Sequence, residues 1–384
     1  MQEIIRANAR YWLKVLGTSP DDVLLSESEL RGAAKAIEAA LQAPDLWDVT
    51  KSLAQALHPH MERRGYWADW NNFLQALAAH ANEQGDSQAE AEILLWHGIV
   101  QRQRGDFSGA TISCRRAWWL SHRLKNKVML ARIFSQLGDL YRLREQFWRA
   151  ERLCRAATRC FESDEYIGDL AQAENRLGLV FFDQLRYDDA LPLLLHSEQL
   201  WQQLGDSHGL AKVLHNLGEL HRRTGHLDKA LNYLEQAGEH YLAAGDKVYD
   251  ARMRLNIGNI YLNQGDLHKA DKTFLEAETS LRYANDSLDL ANARHNLGIV
   301  YTRMRIWSEA EACFARAIEQ WRARGDIWRE ANTLGEMGML YLARGDRAGA
   351  KNYLDQAWRL IRPHRGARFD LLRQELAERR KLVT

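Results

Sequence analysis

Few residues of this 384-residue chain stand at spacings that support bond-making chemistry. Gly205-Asp206-Ser207-His208-Gly209 has the letters of a G-x-S-x-G nucleophile elbow. That elbow needs a strand before the serine and a helix after it. Here the segment aligns with Gly245-Asp246-Lys247-Val248-Tyr249 and reads as a turn. The fourteen histidines show no H-E-x-x-H or other metal-ligand spacing. His97 reads as an edge-of-core residue, and His58-Pro59-His60 as a turn. No Gly-Lys dipeptide occurs, so no phosphate-binding loop of the G-x-x-x-x-G-K type is encoded. The four cysteines are unevenly spaced, and Cys114 and Cys154 fall in an apolar column. They read as packed thiols, not as metal ligands or disulfide partners. Remaining carboxylates read as helix caps or solvated faces. No catalytic residue, metal or cofactor is expected, and an enzyme is not.

The residues that do share a phase suit recognition. Asn216, Asn256 and Asn296 are spaced by forty, and Trp96 takes the same place earlier in the chain. Asparagine is a poor helix former, so helix propensity does not explain the series. A carboxamide both donates and accepts, and so can pair with a peptide group of an extended chain. It can equally bond across to a neighbouring helix or meet water. Around these amides lie Arg132, Arg176, Lys212, His215, Glu219, Arg252, Asn259, Asn292, His295 and Asn332. Lys212 and Arg252 flank the series with positive charge, which points to a ligand carrying acidic residues. Trp96 reads either as an aromatic anchor at one end or as a cover for the N-terminal end.

The elements that position these groups follow from a period. Gly98, Gly138, Gly178, Gly218, Gly258, Gly298 and Gly338 recur every forty residues. Alanine columns run in step from Ala91 to Ala331 and from Ala110 to Ala350, followed by Cys114, Cys154, Leu194, Leu234, Phe274, Phe314 and Leu354. Spacings of three, four and seven are helical. A glycine inside a helix costs about 1 kcal/mol relative to alanine, so seven at one phase mark a close helix crossing. Gly105-Asp106, Gly225-His226, Gly265-Asp266 and Gly345-Asp346 divide helix A from helix B within a repeat. Gly85-Asp86, Gly205-Asp206, Gly245-Asp246, Asn285-Asp286 and Gly325-Asp326 divide one repeat from the next. Glycine can take the left-handed C-cap and the aspartate can cap the following helix. The expected fold is all-α, a superhelical solenoid of antiparallel helix pairs. With the first alanine as position 1, positions 2, 6, 9 and 13 form a stripe on helix A, away from the glycine. The candidate recognition residues fall on or beside this stripe.

Leu-Gly-x-x-Tyr, then alanine, then an apolar residue, then alanine again (Ala237, Ala277, Ala317, Ala357) resembles the tetratricopeptide repeat in a long, forty-residue form. The resemblance covers residues 91–362 and implies a protein- or peptide-binding scaffold. It places the stripe in a concave groove, centred on the fourth to sixth repeats, where related asparagine ladders hold peptide backbones. Residues 51–90 read as a degenerate repeat, since Trp70 stands where alanine belongs while Gly65 keeps a turn position. Residues 1–50 read as an N-terminal helical cap, in which Ser26-Glu27-Ser28-Glu29 is a capping box opening a helix to about Gln42. Residues 363–384 read as a C-terminal capping helix. Ala9-Arg10-Tyr11-Trp12, Ile37-Glu38-Ala39-Ala40-Leu41 and Glu62-Arg63-Arg64-Gly65-Tyr66-Trp67 resemble the segment joining ATPase core to sensor repeats in bacterial NB-ARC (STAND) regulators. An alternative role is therefore the sensor arm of such a regulator.

Charge is polarised locally. Residues 101–160 hold fourteen Lys or Arg against four Asp or Glu, and residues 161–220 hold three against eleven. The whole chain carries a net charge of only +1, which implies no global pull toward nucleic acid or membrane. A nucleic-acid-contacting regulator using the basic segment 102–159 is a further alternative. However, Arg115, Arg116, Arg149, Arg152, Arg155 and Arg159 fall on second helices, expected to face outward, so nucleic acid is not the expected partner. No apolar run reaches membrane-spanning length, no signal-peptide core opens the chain, and a cytoplasmic protein is expected.

Overall fold

The computed structural model describes residues 2–18, 26–64, 67–161, 164–284 and 287–383. The expected turns at Gly65 and at Asn285-Asp286 lie outside the described residues. Among these, the chain forms nineteen α-helices, two short 3-10 turns and no strand. The helices sort into two compact units, residues 1–224 with 243–245, and residues 225–242 with 246–384. In the first lie α1 (Gln2–Thr18), α2 (Glu27–Leu41), α3 (Trp47–Arg64) and α4 (Trp67–Glu83). There follow α5 (Ser87–Gln103), α6 (Phe107–Arg123), α7 (Lys127–Leu143), α8 (Phe147–Thr158), α9 (Ile167–Asp183), α10 (Tyr187–Leu204) and α11 (Ser207–Arg223). The second holds α12 (Leu227–Ala243) apart from its last residue, α13 (Lys247–Gln264), α14 (Leu267–Ala284) and α15 (Ser287–Met304). It ends with α16 (Trp307–Arg324), α17 (Ile327–Arg344), α18 (Arg347–Ile361) and α19 (Ala367–Lys381).

Turn chemistry sets the helix limits. Asp86, Asp106, Asp206, Asp246, Asp326 and Asp346 each accept a hydrogen bond from the backbone N–H three residues on, at 2.8–3.1 Å. Ser26 and Glu29 close the expected capping box at the start of α2. The G-x-S-x-G letters fall on such a turn: Gly205 ends α10 at φ +69° and Asp206 caps α11. A left-handed residue recurs at steps of twenty from Gly85 to Glu145, from Leu185 to Gly265 and from Arg305 to Gly345, and at Lys125, Glu145, Leu185 and Arg305 it is not glycine. Periodicity fixes the place of the turn there, and the side chain is carried at a steric cost.

The glycine column is a contact column. A Cβ built on Gly258 would lie 2.5 Å from the Phe274 ring, and one on Gly298 would lie 2.5 Å from Phe314. At Gly138 the obstacle is Cys154 Sγ at 2.4 Å, and at Gly338 it is Leu354 Cγ at 2.7 Å. Helix A thus lacks a side chain where helix B inserts one sixteen residues later. The facing residues Cys114, Cys154, Leu194, Phe274, Phe314 and Leu354 are fully buried. Burial pushes the Cys114 and Cys154 thiols up to about 12, which agrees with packed, unreactive sulfurs.

The pair α3–α4 solves the same crossing differently. His58 stands at the glycine phase, and Trp70 Nε1 donates to His58 Nδ1 at 3.1 Å with the indole fully buried. This corrects the reading of His58-Pro59-His60 as a turn: all three lie inside α3. Proline removes one N–H from the helix, but His58 and His60 are buried in packing that holds the helix through it. At the other end, α19 buries Leu372 and Leu376 in one cluster with Leu334, Met337 and Leu354 of α17 and α18.

Two stability effects follow. Gly258→Leu overpacks the crossing and should cost about 1–3 kcal/mol or more, seen as a lowered thermal midpoint; an unchanged midpoint would show that the column does not set the crossing. Leu185→Gly should act in the opposite direction. Leu185 is 71% exposed at φ +62°, so glycine relieves a left-handed penalty of about 1–2 kcal/mol while losing little burial. After glycine's own entropic loss of roughly 0.5–1 kcal/mol, a net rise in urea midpoint is expected.

Candidate binding site

In the first compact unit, arginines on and beside the stripe surround one buried carboxylate. Asp139 of α7 is 4% exposed. It is bridged by Arg102 of α5 at 3.1 Å and by Arg142 of its own helix at 2.8 Å. Arg142 also reaches Asp183 of α9 at 2.6 Å. Arg176 of α9 is buried and donates to Ser135 Oγ at 2.7 Å. Burial alone raises the Asp139 carboxyl, but Arg102, Arg142 and Arg176 outweigh it and hold the group below its ordinary value.

Beside this cluster opens a cleft of ≈360 Å³. Its walls include Arg102, Arg142, Arg176 and Lys212, the carboxylates Asp139 and Asp206, and the apolar Leu179 and Trp201. Four cations therefore line it with two carboxylates. Three helix A segments, α5, α7 and α9, supply the arginines, and α11 supplies Lys212. Sequence reasoning missed Arg102 and Arg142. Both occupy position 12, one residue before the stripe, and their recurrence at that place on either side of Asp139 was the available signal.

Other predicted residues are partly engaged between helices. Arg132 makes a two-pronged contact to Asp169 of α9, at 2.9 and 2.7 Å. Asn216 donates to Asn175 Oδ1 at 2.8 Å, which leaves its own carbonyl and second N–H for other partners. Glu219 accepts from Arg222 and Arg223. Burial lowers the His215 pKa. Trp96 stacks on His58, with ring centres 4.3 Å apart, and packs half-buried against the N-terminal core.

In the second compact unit, Asn296 donates to Asn259 Oδ1 at 3.0 Å, and Asn292 to Asp289 Oδ1 at 3.2 Å. Arg252 bridges Asp289 and lies over the Tyr249 ring. Asn256 and Asn332 are half-buried on the same face phase. His295 meets Thr333 Oγ1 at 2.9 Å, and burial lowers its pKa to about 4. Asn216 and Asn296 thus each bond to an asparagine of a neighbouring helix A, one pair in each unit. A further cavity, of ≈890 Å³, lies elsewhere, between α2, α3 and α4. It is walled by Leu30, Ala34, Leu41, Met61 and Phe73, together with Arg31, Lys35 and Glu38.

The Asp139 cluster carries a pH signature. Its folded-state pKa lies below the unfolded one, so its stabilisation is present above about pH 4 and is lost as pH falls through the folded value. Asp139→Asn should lower stability near neutral pH by about 3–5 kcal/mol and flatten the acid limb of a urea-midpoint series against pH. A mutant with the wild-type acid limb would show that the cluster does not titrate with folding.

Among the described residues, no helix is long and apolar enough to cross a membrane, and no group of three or more metal-ligating side chains occurs. A search among curated proteins finds no match. Solved structures match as folds. A STAND signal transduction ATPase with a tetratricopeptide repeat sensor, from Pyrococcus horikoshii, aligns with TM-score 0.73 at 16% identity. The alignment covers 100% of this chain and 55% of that one, so this chain spans about half of that protein's length. A Rap protein complexed with competence and sporulation factor aligns with TM-score 0.57 at 14% identity, over 99% and 100% of the two chains. Aspartyl phosphate phosphatase F from Bacillus subtilis aligns with TM-score 0.58 at 13% identity, over 88% and 95%. The family model described as tetratricopeptide repeat matches residues 169–243, 249–323 and 289–362. With its forty-residue helix pairs and its glycine crossings, the chain belongs to the tetratricopeptide repeat family.

Proposed function

We propose that this chain is a non-enzymatic scaffold or sensor, and that it takes an extended, acidic segment of a protein or peptide against its A-helix stripe. The observation that carries this reading is the cationic excess of the cleft in the first compact unit. Arg102, Arg142, Arg176 and Lys212 line it against Asp139 and Asp206, with Asp183 also bridged to Arg142. A carboxylate entering there meets preformed guanidinium donors, and Trp201 and Leu179 offer an adjoining apolar wall. Asn216 retains hydrogen-bonding groups for a peptide backbone. In the second compact unit, Asn256, Asn259 and Asn296 are a separate row of the same type. The fold likeness to a Rap protein complexed with competence and sporulation factor supports a binding role.

The test uses labelled peptides that differ only in glutamate against glutamine, measured by fluorescence anisotropy. The glutamate form should bind at least about tenfold more tightly, roughly 1.4 kcal/mol, and its advantage should shrink as salt rises. Lys212→Gln with Asn216→Ala should erase that advantage while helicity stays intact. Equal affinity for both peptides would remove the acidic-ligand reading. Asn256→Ala with Asn296→Ala probes the second row, again without loss of helicity, because alanine favours helix more than asparagine.

A second reading, the sensor arm of a STAND-type regulator, is favoured by the alignment of the whole chain with such a protein. Co-purification of a separate STAND ATPase with this chain would select it, and its absence from purified complexes would leave the scaffold reading.

A further inference from the structure

The B helices α6 and α8 carry a decoration that neighbouring repeats lack. On α8, Trp148, Arg152, Arg155 and Arg159 follow at spacings of four, three and four, and so share one face. The equivalent residues on α6 are Ser108, Ile112, Arg115 and Trp119, with Trp118 and Arg123 beside them. Ile112 and Trp148 are 69% and 65% exposed, and Trp118 and Trp119 are 38% and 42% exposed. At the same phase α10 has Asp188, Pro192, Leu195 and Gln199, and α12 has Asp228, Asn232, Glu235 and Glu239. The repeat does not require tryptophan and arginine here, since other repeats do without them.

Charge on this face is left uncompensated. Arg116 is bridged to Glu90 and Arg155 to Glu151. Arg115, Arg123, Arg152 and Arg159 have no carboxylate partner among the described residues. An anionic counterpart therefore fits, and the indoles help decide its class. Arg116 and Arg123 lie 5.0 and 4.7 Å from the Trp119 ring centre, and Arg149 lies 5.3 Å from that of Trp148. His122 stacks on Trp118 at 5.5 Å. Bases of single-stranded nucleic acid need open aromatic faces to stack on, and here an arginine or histidine side chain already lies against each of the three indoles and competes for them. A guanidinium held over an indole loses little freedom when it pairs with a carboxylate.

We infer that α6 and α8 form a docking surface for an acidic segment of a partner protein, which sets at least one apolar side chain against Trp119 or Trp148. This surface uses different helices from the cleft and stands independently of it.

The probe is a labelled amphipathic peptide of glutamate and leucine, with its glutamine analogue as control, titrated into the full chain by anisotropy. The glutamate peptide should bind in a salt-sensitive manner. Trp119→Ala with Trp148→Ala, and separately Arg152→Glu with Arg155→Glu, should each weaken it about tenfold or more. Measured in the Lys212→Gln, Asn216→Ala background, where the cleft no longer competes for the probe, each α6–α8 variant should cause the same loss, which separates the two surfaces. Thermal melts confirm that each variant folds. Binding that survives both α6–α8 variants overturns the inference. So does tighter binding of oligo-dT or of phosphatidylserine vesicles through these residues, or self-association of the chain that the same variants abolish.

Discussion

The repeats that lie inside one compact unit depend on one steric allowance. Helix A presents a glycine where helix B inserts a cysteine, leucine or phenylalanine, and the missing Cβ lets the two axes approach. Once that crossing is fixed, the rotation of helix A about its own axis is fixed too. The alanine columns, fully buried at Ala131, Ala171, Ala211 and Ala251, then meet adjacent helices at further small-residue contacts. Positions 2, 6, 9 and 13 are left on the side that the crossing does not use. The recognition stripe is thus a consequence of packing, and its chemical content is free to vary because no column constrains it.

That freedom is limited by burial. Stripe residues lie close enough to the next helix A to bond with it, as Asn216 does with Asn175 and Asn296 with Asn259. Leaving such amides unpaired in a half-buried seam would cost about 1–3 kcal/mol each. The same physics acts more strongly on Asp139. A carboxylate at 4% exposure is tolerable only with cations around it, so Arg102, Arg142 and Arg176 both satisfy it and accumulate positive charge beside a cleft. Under the proposed acidic-ligand role, structural satisfaction and ligand attraction share one set of side chains.

Local and periodic features were legible in the sequence. The aspartate caps, the glycine crossings and the packed thiols of Cys114 and Cys154 each follow from a short-range rule repeated several times. The left-handed turns at Lys125, Glu145, Leu185 and Arg305 were not, because a turn imposed by periodicity overrides the preference for glycine. Pro59 inside α3 misled for the related reason that buried neighbours can outweigh a lost backbone hydrogen bond. The Asp139 cluster escaped because it joins three helices forty residues apart, at a position that is arginine in some repeats and phenylalanine or leucine in others. Trp96 could be placed only once His58 was known to lie in a helix beneath it.

The B-helix face extends the argument to the opposite surface. B helices use their small and apolar columns to cover helix A, and their outward phase is as unconstrained as the stripe. In that setting a generic solvated face should look alike from repeat to repeat, with lysine and glutamate interspersed. The face of α6 and α8 instead concentrates arginine and tryptophan, whereas α12 shows aspartate and glutamate at the equivalent places. Arginine and tryptophan are the residues that contribute most at protein interfaces, and an indole left in water forfeits burial worth about 25 cal/mol per Å² of apolar surface. Repeats one and two keep that unsatisfied surface without any packing reason to do so. A bound partner is the simplest physical condition under which the decoration becomes favourable.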